Sequence, residues 1–425
     1  MKINKDELQA LNKDLLADHS RKIDSLKGLL STKGVDPDQV IKKITDFQVA
    51  IPSWALGTGG TRFGRFPGGG EPGSLEEKIA DVGLLHALNR SSGAISLHIP
   101  WDIPKDSKTI KRLAQEHELV FDAVNSNTFQ DKPKAENSYK FGSLCHMEKE
   151  VRDMAVAHNK AVIDHGKALG SKSLTVWLAD GSSFPGQNHF RTTFENTLAS
   201  LQEIYDHLPE GWKMFIEYKP YEPNFYSMAI PDWGTSHLLA SKLGDKALCL
   251  VDLGHHLPNT NIEQIVAILM MEKKLGGFHF NDSKYGDDDL TVGSLKPYQL
   301  FLIFTELVDG IQNTDNPSLS WMIDASHNVK DPLEDLLQSV EAILIAYAQA
   351  LTLDRKQLQD AQSNNDVALA QEILQDAFRT DVRPLLAEAR LKAGGALNPI
   401  NTYRHLKVRS TLVRERREKS ISTGL

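Results

Sequence analysis

The residues of this chain that could bind a cation and move a proton recur in one setting, at or just past the end of a short apolar run. FIEYK carries Glu217 and Lys219, and LVDLGHH carries Asp252 and His255. GGFHFNDSKYGDDDL carries His279 and then three consecutive aspartates, Asp287, Asp288 and Asp289. WMIDASHN carries Asp324, with His327 three residues on. AISLHI and SLTVWLA contribute His98 and Trp177 in the same way. Three carboxylates and an imidazole (Glu217, Asp252, Asp324 and His279) brought together would repel one another or take up protons unless a cation joined them. That donor set suits a hard to borderline ion such as Mn²⁺ or Mg²⁺, and without cysteine it does not read as structural zinc. Each residue also has a plainer reading. Asp252 and Asp324 could cap helices, His279 could be a satisfied core histidine, and Glu217 with Lys219 could be a structural ion pair. It is their occurrence at four successive strand ends that favours a common site.

Spacing separates a second group. Along extended backbone, residues i and i+2 face the same way, about 6.6 Å apart at roughly 3.3 Å per residue. If the loop is extended, Asp287 and Asp289 point together, with His255 as their partner, and Asp288 points away as a bystander. The same parity places Glu217 and Lys219 on one face.

The elements that must position these residues alternate. Eight β-rich runs, at 48–56, 94–99, 119–124, 173–179, 214–218, 247–253, 276–282 and 320–325, are each followed by a helix-like segment. Alternation of this kind predicts βαβ units and a parallel sheet. Eight units suit a (β/α)₈ barrel, which takes about 250 residues, with an open doubly wound sheet as the alternative. Strands of such sheets are buried on both faces and should be apolar. Polar residues at their C-terminal ends therefore read as functional, since that end of a barrel carries the chemistry. Residues 1–46 show helical leucine spacing, and beyond 345 the pattern is again helical. The expected organisation is an N-terminal helical segment at 1–46, the barrel at 47–345 and a helical C-terminal extension at 346–425, serving as a packing arm or a cover. The extension's tail, HLKVRSTLVRERREKS, reads as a solvated helix because glutamates interrupt its basic run.

At 425 residues the chain has ample material for a core, and its net charge of −8 gives no basic field for nucleic acid. Its two cysteines, Cys145 and Cys249, read as reduced thiols rather than a disulfide. No run of about 18 apolar residues predicts a membrane span, and the charged N-terminus lacks a signal-peptide apolar region. A cytoplasmic protein is expected. GTGGTRFGRFPGGGEPG (57–73) holds eight glycines but no GxxxxGK, so it is not a P-loop. It reads as a mobile loop on the site's face, with Phe63, Phe66, Arg62 and Arg65 able to reach over a ligand.

The ordered set E-x-K, D-x-x-H, H-x₇-D-x-D and a final Asp resembles the two-metal sugar isomerases of the xylose isomerase-like barrels. FIEYKPYEP, VDLGHH, GGFHFNDSKYGDDDL and WMIDASHN resemble the L-rhamnose isomerases more closely still. The resemblance implies aldose–ketose isomerisation of an open-chain sugar, L-rhamnose to L-rhamnulose, by a metal-mediated 1,2-hydride shift. It implies two divalent ions per chain, Mn²⁺ first, with Mg²⁺, Co²⁺ or Zn²⁺ as alternatives, and a homotetramer. Glu217, Asp252, His279 and Asp324 would hold one ion, and His255, Asp287 and Asp289 the other, with Asp252 placed to bridge. Lys219, His255, Asp287 and Asp289 would be catalytic. His98, Trp177, Lys219 and Phe66 would contact the sugar. Competing readings are a single-metal ketose 3-epimerase, an abasic-site endonuclease-type barrel, and a non-catalytic scaffold.

Overall fold

The computed structural model describes residues 1–57, 68–131, 135–222, 227–313, 319–325 and 329–416. Eight parallel strands close a barrel. They are β1 (Ala50–Pro52), β2 (Ala94–Ile99), β3 (Val120–Ser126), β4 (Ser173–Val176), β5 (Lys213–Glu217), β6 (Ala247–Asp252), β7 (Leu275–Phe280) and β8 (Ser320–Ile323). Around the barrel the order is β1-β8-β7-β6-β5-β4-β3-β2. A helix follows each strand, from α3 (Leu75–Asn89) after β1 to α10 (Pro332–Leu351) after β8. The expected (β/α)₈ barrel is the fold. A small antiparallel pair, Gly181–Ser182 with Ser227–Met228, ties the loops that follow β4 and β5.

The alternation of side chains along each strand explains where the polar residues go. One parity faces the helices: Met214 and Ile216, Cys249 and Val251, Phe278 and Phe280 join the main hydrophobic core. The other parity faces inward, where Ala123, Phe215, Leu248 and Leu250 form a small core inside the barrel. Two residues beyond Phe215 is Glu217, and two beyond Leu250 is Asp252. The register sets Asp252 beside His279 across β6 and β7. The same inward parity carries β8 from Met322 to Asp324, and β2 from Ala94 through Ser96 to His98. A one-residue slip would turn these groups into the helix layer.

The helices start where the sequence supplies caps. Asp36 accepts from Asp38 and Gln39 at the start of α2 (Pro37–Asp46). Ser74 accepts from the Glu77 amide at α3, and Asp331 with Pro332 opens α10. Helix α10 runs on to Leu351, so residue 345 lies within a continuous helix and the added helices begin after it.

The two terminal regions pack together. Asn12 of α1 (Lys5–Thr32) donates to the Gly395 carbonyl at 2.9 Å and accepts from the Leu397 amide at 2.9 Å. His19 lies 2.8 Å from Glu388 of α13 (Arg383–Lys392). The tail helix α15 (Val408–Glu415) folds back onto the barrel. Arg409 forks onto Asp331 at 3.0 and 2.7 Å, and Arg416, just beyond the helix, holds Asp81 at 2.8 and 2.6 Å. This part of the tail is therefore docked rather than a free solvated helix. Both cysteines are buried and free. Among the described residues no single helix is long and apolar enough to cross a membrane, although α10 and α11 (Arg355–Ser363), bent by 64°, meet that length and composition together.

The fit of β7 against β8 is tight beneath His279. A Cβ on Gly277 would lie 2.3 Å from the Ser320 carbonyl oxygen. Gly277→Ala must push the strands apart, so it is expected to lower stability by about 1–3 kcal/mol, read as a lower urea midpoint by circular dichroism.

Candidate metal centre and active site

Glu217 and Asp252 end β5 and β6, His279 is the last residue but one of β7, and Asp324 follows β8. One ligand atom from each lies within 4.8 Å of all the others. His279 Nδ1 is 3.2 Å from Glu217 Oε1, 3.6 Å from Asp324 Oδ2 and 3.8 Å from Asp252 Oδ2. The two aspartates are each held by one oxygen. Asp252 Oδ1 accepts from the Gly254 amide at 2.7 Å and from Asn281 Nδ2 at 2.9 Å. Asp324 Oδ1 accepts from Trp54 Nε1 at 2.9 Å. The second oxygens turn inward, and Asp252 Oδ2 is buried without a hydrogen-bond partner among the described residues. An orphaned carboxylate oxygen costs free energy in such a place. A divalent cation would satisfy it, so the donor set and its orientation fit one.

The protonation equilibria point the same way. Burial, then the charges of Glu217 and Asp324, push Asp252 up to about 7 against the pull of His255. Burial also raises Asp324. Burial alone would lower His279, but Glu217 and the aspartates lift it to about 9. Glu217 stays at about 2 because His279 and His255 outweigh its burial. The cluster carries more negative charge than the protein around it neutralises.

His255, Asp287 and Asp289 adjoin this centre. The His255 ring has Nδ1 3.2 Å from Glu217 Oε1, without hydrogen-bond geometry, and Nε2 3.1 Å from Asp287 Oδ1. Asp289 lies against Asp287, and burial followed by the Asp287 charge drives its carboxyl well above the usual range. His255 thus reaches both groups. Asp252, expected to bridge them, has one oxygen committed to Gly254 and Asn281.

The aspartate loop corrects the parity argument. It is not extended: Asp287 and Asp289 have φ of 50° and 48°, in the left-handed region, which aspartate tolerates better than most residues. A reciprocal backbone pair, Asp282 with Leu290, closes its base at 2.9 Å each way. Asp288 does turn from the cluster but is no bystander. Its Oδ2 accepts from the amides of Lys284 at 2.5 Å and Tyr285 at 3.2 Å and from the Ser283 hydroxyl at 3.3 Å, and so folds the loop.

Lys219 is buried. Its ammonium touches Glu222, lies 2.5 Å from Asp287 Oδ2 and sits 5.3 Å from the centre of the Trp177 ring. Opposite the charged groups stands an aromatic wall from the ends of β1 to β4. His98 stacks on Trp101 at 4.1 Å and meets Trp54 at 5.3 Å and Phe129 at 5.7 Å, and Phe129 meets Trp177 at 4.9 Å. The His98 amide donates to Asp102, whose other oxygen receives the fully buried Lys78 at 2.7 Å. Phe66 and His327, and with Phe66 most of the glycine-rich stretch, lie outside the described residues. Trp54, Trp101, Phe129, Asn281 and Glu222 were missed at the sequence level. Trp54 and Phe129 follow strand ends like the others, and position was the signal available.

The xylose isomerase-like TIM barrel model matches residues 90–299, a span that holds β2 to β7 and every candidate ligand except Asp324. The chain is 52% identical to a probable sugar isomerase of Rhizobium meliloti (strain 1021) over 398 residues, 93% of each protein. It is also 52% identical to a probable sugar isomerase of Mesorhizobium japonicum (strain LMG 29417 / CECT 9101 / MAFF 303099) over 400 residues, 94% of this chain and 93% of the other. The chain belongs to the xylose isomerase-like TIM barrel family. A solved L-ribulose 3-epimerase, 14% identical, superposes with a TM-score of 0.52 over 74% of this chain and 98% of its own length. At that identity the likeness is one of fold.

Two outcomes test this geometry. Trp54→Phe keeps an aromatic ring but removes the donor that orients Asp324. Metal-stripped protein with this change should bind Mn²⁺ about 10- to 100-fold more weakly by calorimetric titration, and equal affinity would show the bond does not orient the ligand. His98 is buried neutral, with burial and then nearby His158 and Lys78 lowering it to about 3. Below the ordinary histidine value of 6.5 the unfolded chain takes up a proton that folded His98 refuses, so stability is lost as pH falls from 6.5 toward 3. Between pH 7 and 5, His98→Phe should therefore lose about 2 kcal/mol less stability than the parent, measured by urea unfolding at both values.

Proposed function

We propose that this protein is a divalent-cation-dependent aldose–ketose isomerase whose substrate is L-rhamnose. One observation carries the reading: a buried lysine and a His–Asp–Asp group lie directly beside the four-residue carboxylate–imidazole cluster. A structural ion pair needs no such neighbours. The names of the relatives, probable sugar isomerases, support the reaction class. The sugar itself rests on the likeness of FIEYKPYEP, VDLGHH, GGFHFNDSKYGDDDL and WMIDASHN to the L-rhamnose isomerases.

In this reading Glu217, Asp252, His279 and Asp324 hold one ion, and His255, Asp287 and Asp289 a second, Mn²⁺ by preference. When bound, these ions supply Lewis-acid polarisation of the sugar's oxygens and neutralise the carboxylates. The chain's own residues do the rest. The Lys219 ammonium donates to O1 of the open-chain sugar and stabilises charge that develops there. Asp287, or Asp289 beside it, passes a proton between O1 and O2. His98, neutral across the physiological range, offers a hydrogen-bonding nitrogen from within the aromatic wall. The wall excludes water and gives an apolar surface to the sugar's carbon chain, which suits a 6-deoxy sugar with its terminal methyl group. Hydrogen moves between C2 and C1 as a hydride. The further carboxylate beside this group, Glu222, has Oε1 engaged by Lys219.

Protein stripped with EDTA should be inactive on L-rhamnose and recover with Mn²⁺, and metal-independent turnover would sink the scheme. With C2-deuterated sugar the label should stay in the product, whereas its loss to water would indicate an ene-diol. A content of one ion per chain, with 3-epimerisation of ketoses, would favour the epimerase alternative.

A further inference from the structure

The aspartate that would serve a cation is also the one that holds the lysine. Asp287 Oδ1 faces His255 Nε2 at 3.1 Å, and Oδ2 faces Lys219 Nζ at 2.5 Å. If Asp287 is to share an ion with His255 and Asp289, it must loosen its grip on the ammonium. A buried ammonium left without an anionic partner would be costly. The chain supplies another partner three residues along. Lys-Pro-Tyr-Glu (219–222) turns back on itself, so that Glu222 Oε1 contacts the same Nζ. Tyr221, inside that turn, places its hydroxyl where a side chain on Gly286 would sit, 2.3 Å from a Cβ built there. The turn at 219–222 and the loop at 285–287 are thus fitted to one another, and the ammonium lies between their carboxylates.

Resting on the isomerase reading above, we propose that Glu222 is a positioning residue: it anchors Lys219, so that Asp287 can serve a cation while the lysine keeps its place at the sugar. An ammonium has three donors. Donors of Lys219 are directed to Glu222 and Asp287. Without the Glu222 charge, the lysine draws more strongly on Asp287 and competes with the ion for that carboxylate.

The test is Glu222→Gln, with Glu222→Asp as the variant that keeps the charge, each first checked for a parent-like melting temperature. Metal-stripped protein is titrated with Mn²⁺, and the reloaded enzyme is assayed with L-rhamnose. For Glu222→Gln one binding event should weaken about tenfold or more while the other is unchanged. KM should rise, and raised Mn²⁺ should restore part of the lost turnover, which a merely structural defect would not allow. Glu222→Asp should lie between parent and Gln, and it decides the matter if the Gln variant does not fold. Parent-like Mn²⁺ binding and KM in the folded variants overturn the proposal. Lys219→Met in the same series separates the two claims. Its loss of turnover leaves the isomerase reading standing whatever Glu222 does, and full turnover overturns that reading instead.

Discussion

The constraint on which this structure depends is the crowding of like charges at the top of an apolar barrel. Three carboxylates and one imidazole bring ligand atoms within 4.8 Å of one another, three of the four residues being buried. In water such groups would separate; here the strands forbid it. The surrounding structure manages the conflict by fixing one oxygen of Asp252 and one of Asp324 with donors from elsewhere and leaving the other oxygens to face inward. Neutral donors orient a carboxylate without cancelling its charge.

This arrangement divides the mouth of the barrel. The strands from β5 to β8 end in charge, and those from β1 to β4 lead to rings: Trp54, His98, Trp101, Phe129 and Trp177. Contacts among the described residues cross the divide. Trp54 belongs to the wall but donates to Asp324, and Trp177 lies beneath the Lys219 ammonium. A low-dielectric wall facing the charged half strengthens the fields there. The buried Lys78–Asp102 pair, behind His98, keeps that wall in place with its charges satisfied within the protein.

Much of this was legible in the sequence, for a definite reason. A buried parallel strand is expected to be apolar on both faces, so Glu217, Asp252, His279 and Asp324 stood out as exceptions, and the eight alternating runs that carry them matched a barrel. Other features were not legible because their signals coincide with ordinary structure. Trp54 in an apolar run reads as core, and nothing local says that its indole N–H reaches a residue 270 positions away. Asn281 and Glu222 follow strand ends as any loop residue might. The aspartate loop misled in a different way. A period of two assumes extended backbone, and left-handed φ at Asp287 and Asp289 removes that premise. Which aspartate folds the loop follows from backbone amides, which sequence spacing does not rank.

The helices outside the barrel belong to the same problem. A barrel of this kind takes about 250 residues, well short of this chain. Part of the excess is spent holding the rim. Arg409 binds the Gly69 carbonyl as well as Asp331, and Arg416 binds the Gly70 carbonyl as well as Asp81. A Cβ on Gly70, whose φ is +71°, would lie 2.7 Å from the Val413 amide nitrogen, so the tail packs directly on backbone there. Gly69 and Gly70 lie between β1 and α3, and Asp331 between β8 and α10. These two connections flank the seam where the first strand meets the last, and there the barrel has no continuous chain to hold it: β1 pairs with β8 only through Ala50 and Met322. Trp54 and Asp324, joined by a hydrogen bond, stand on either side of the same seam. The tail thus braces the junction at which the aromatic wall and the charged cluster meet, by contacts that lie more than 70 residues apart in the chain.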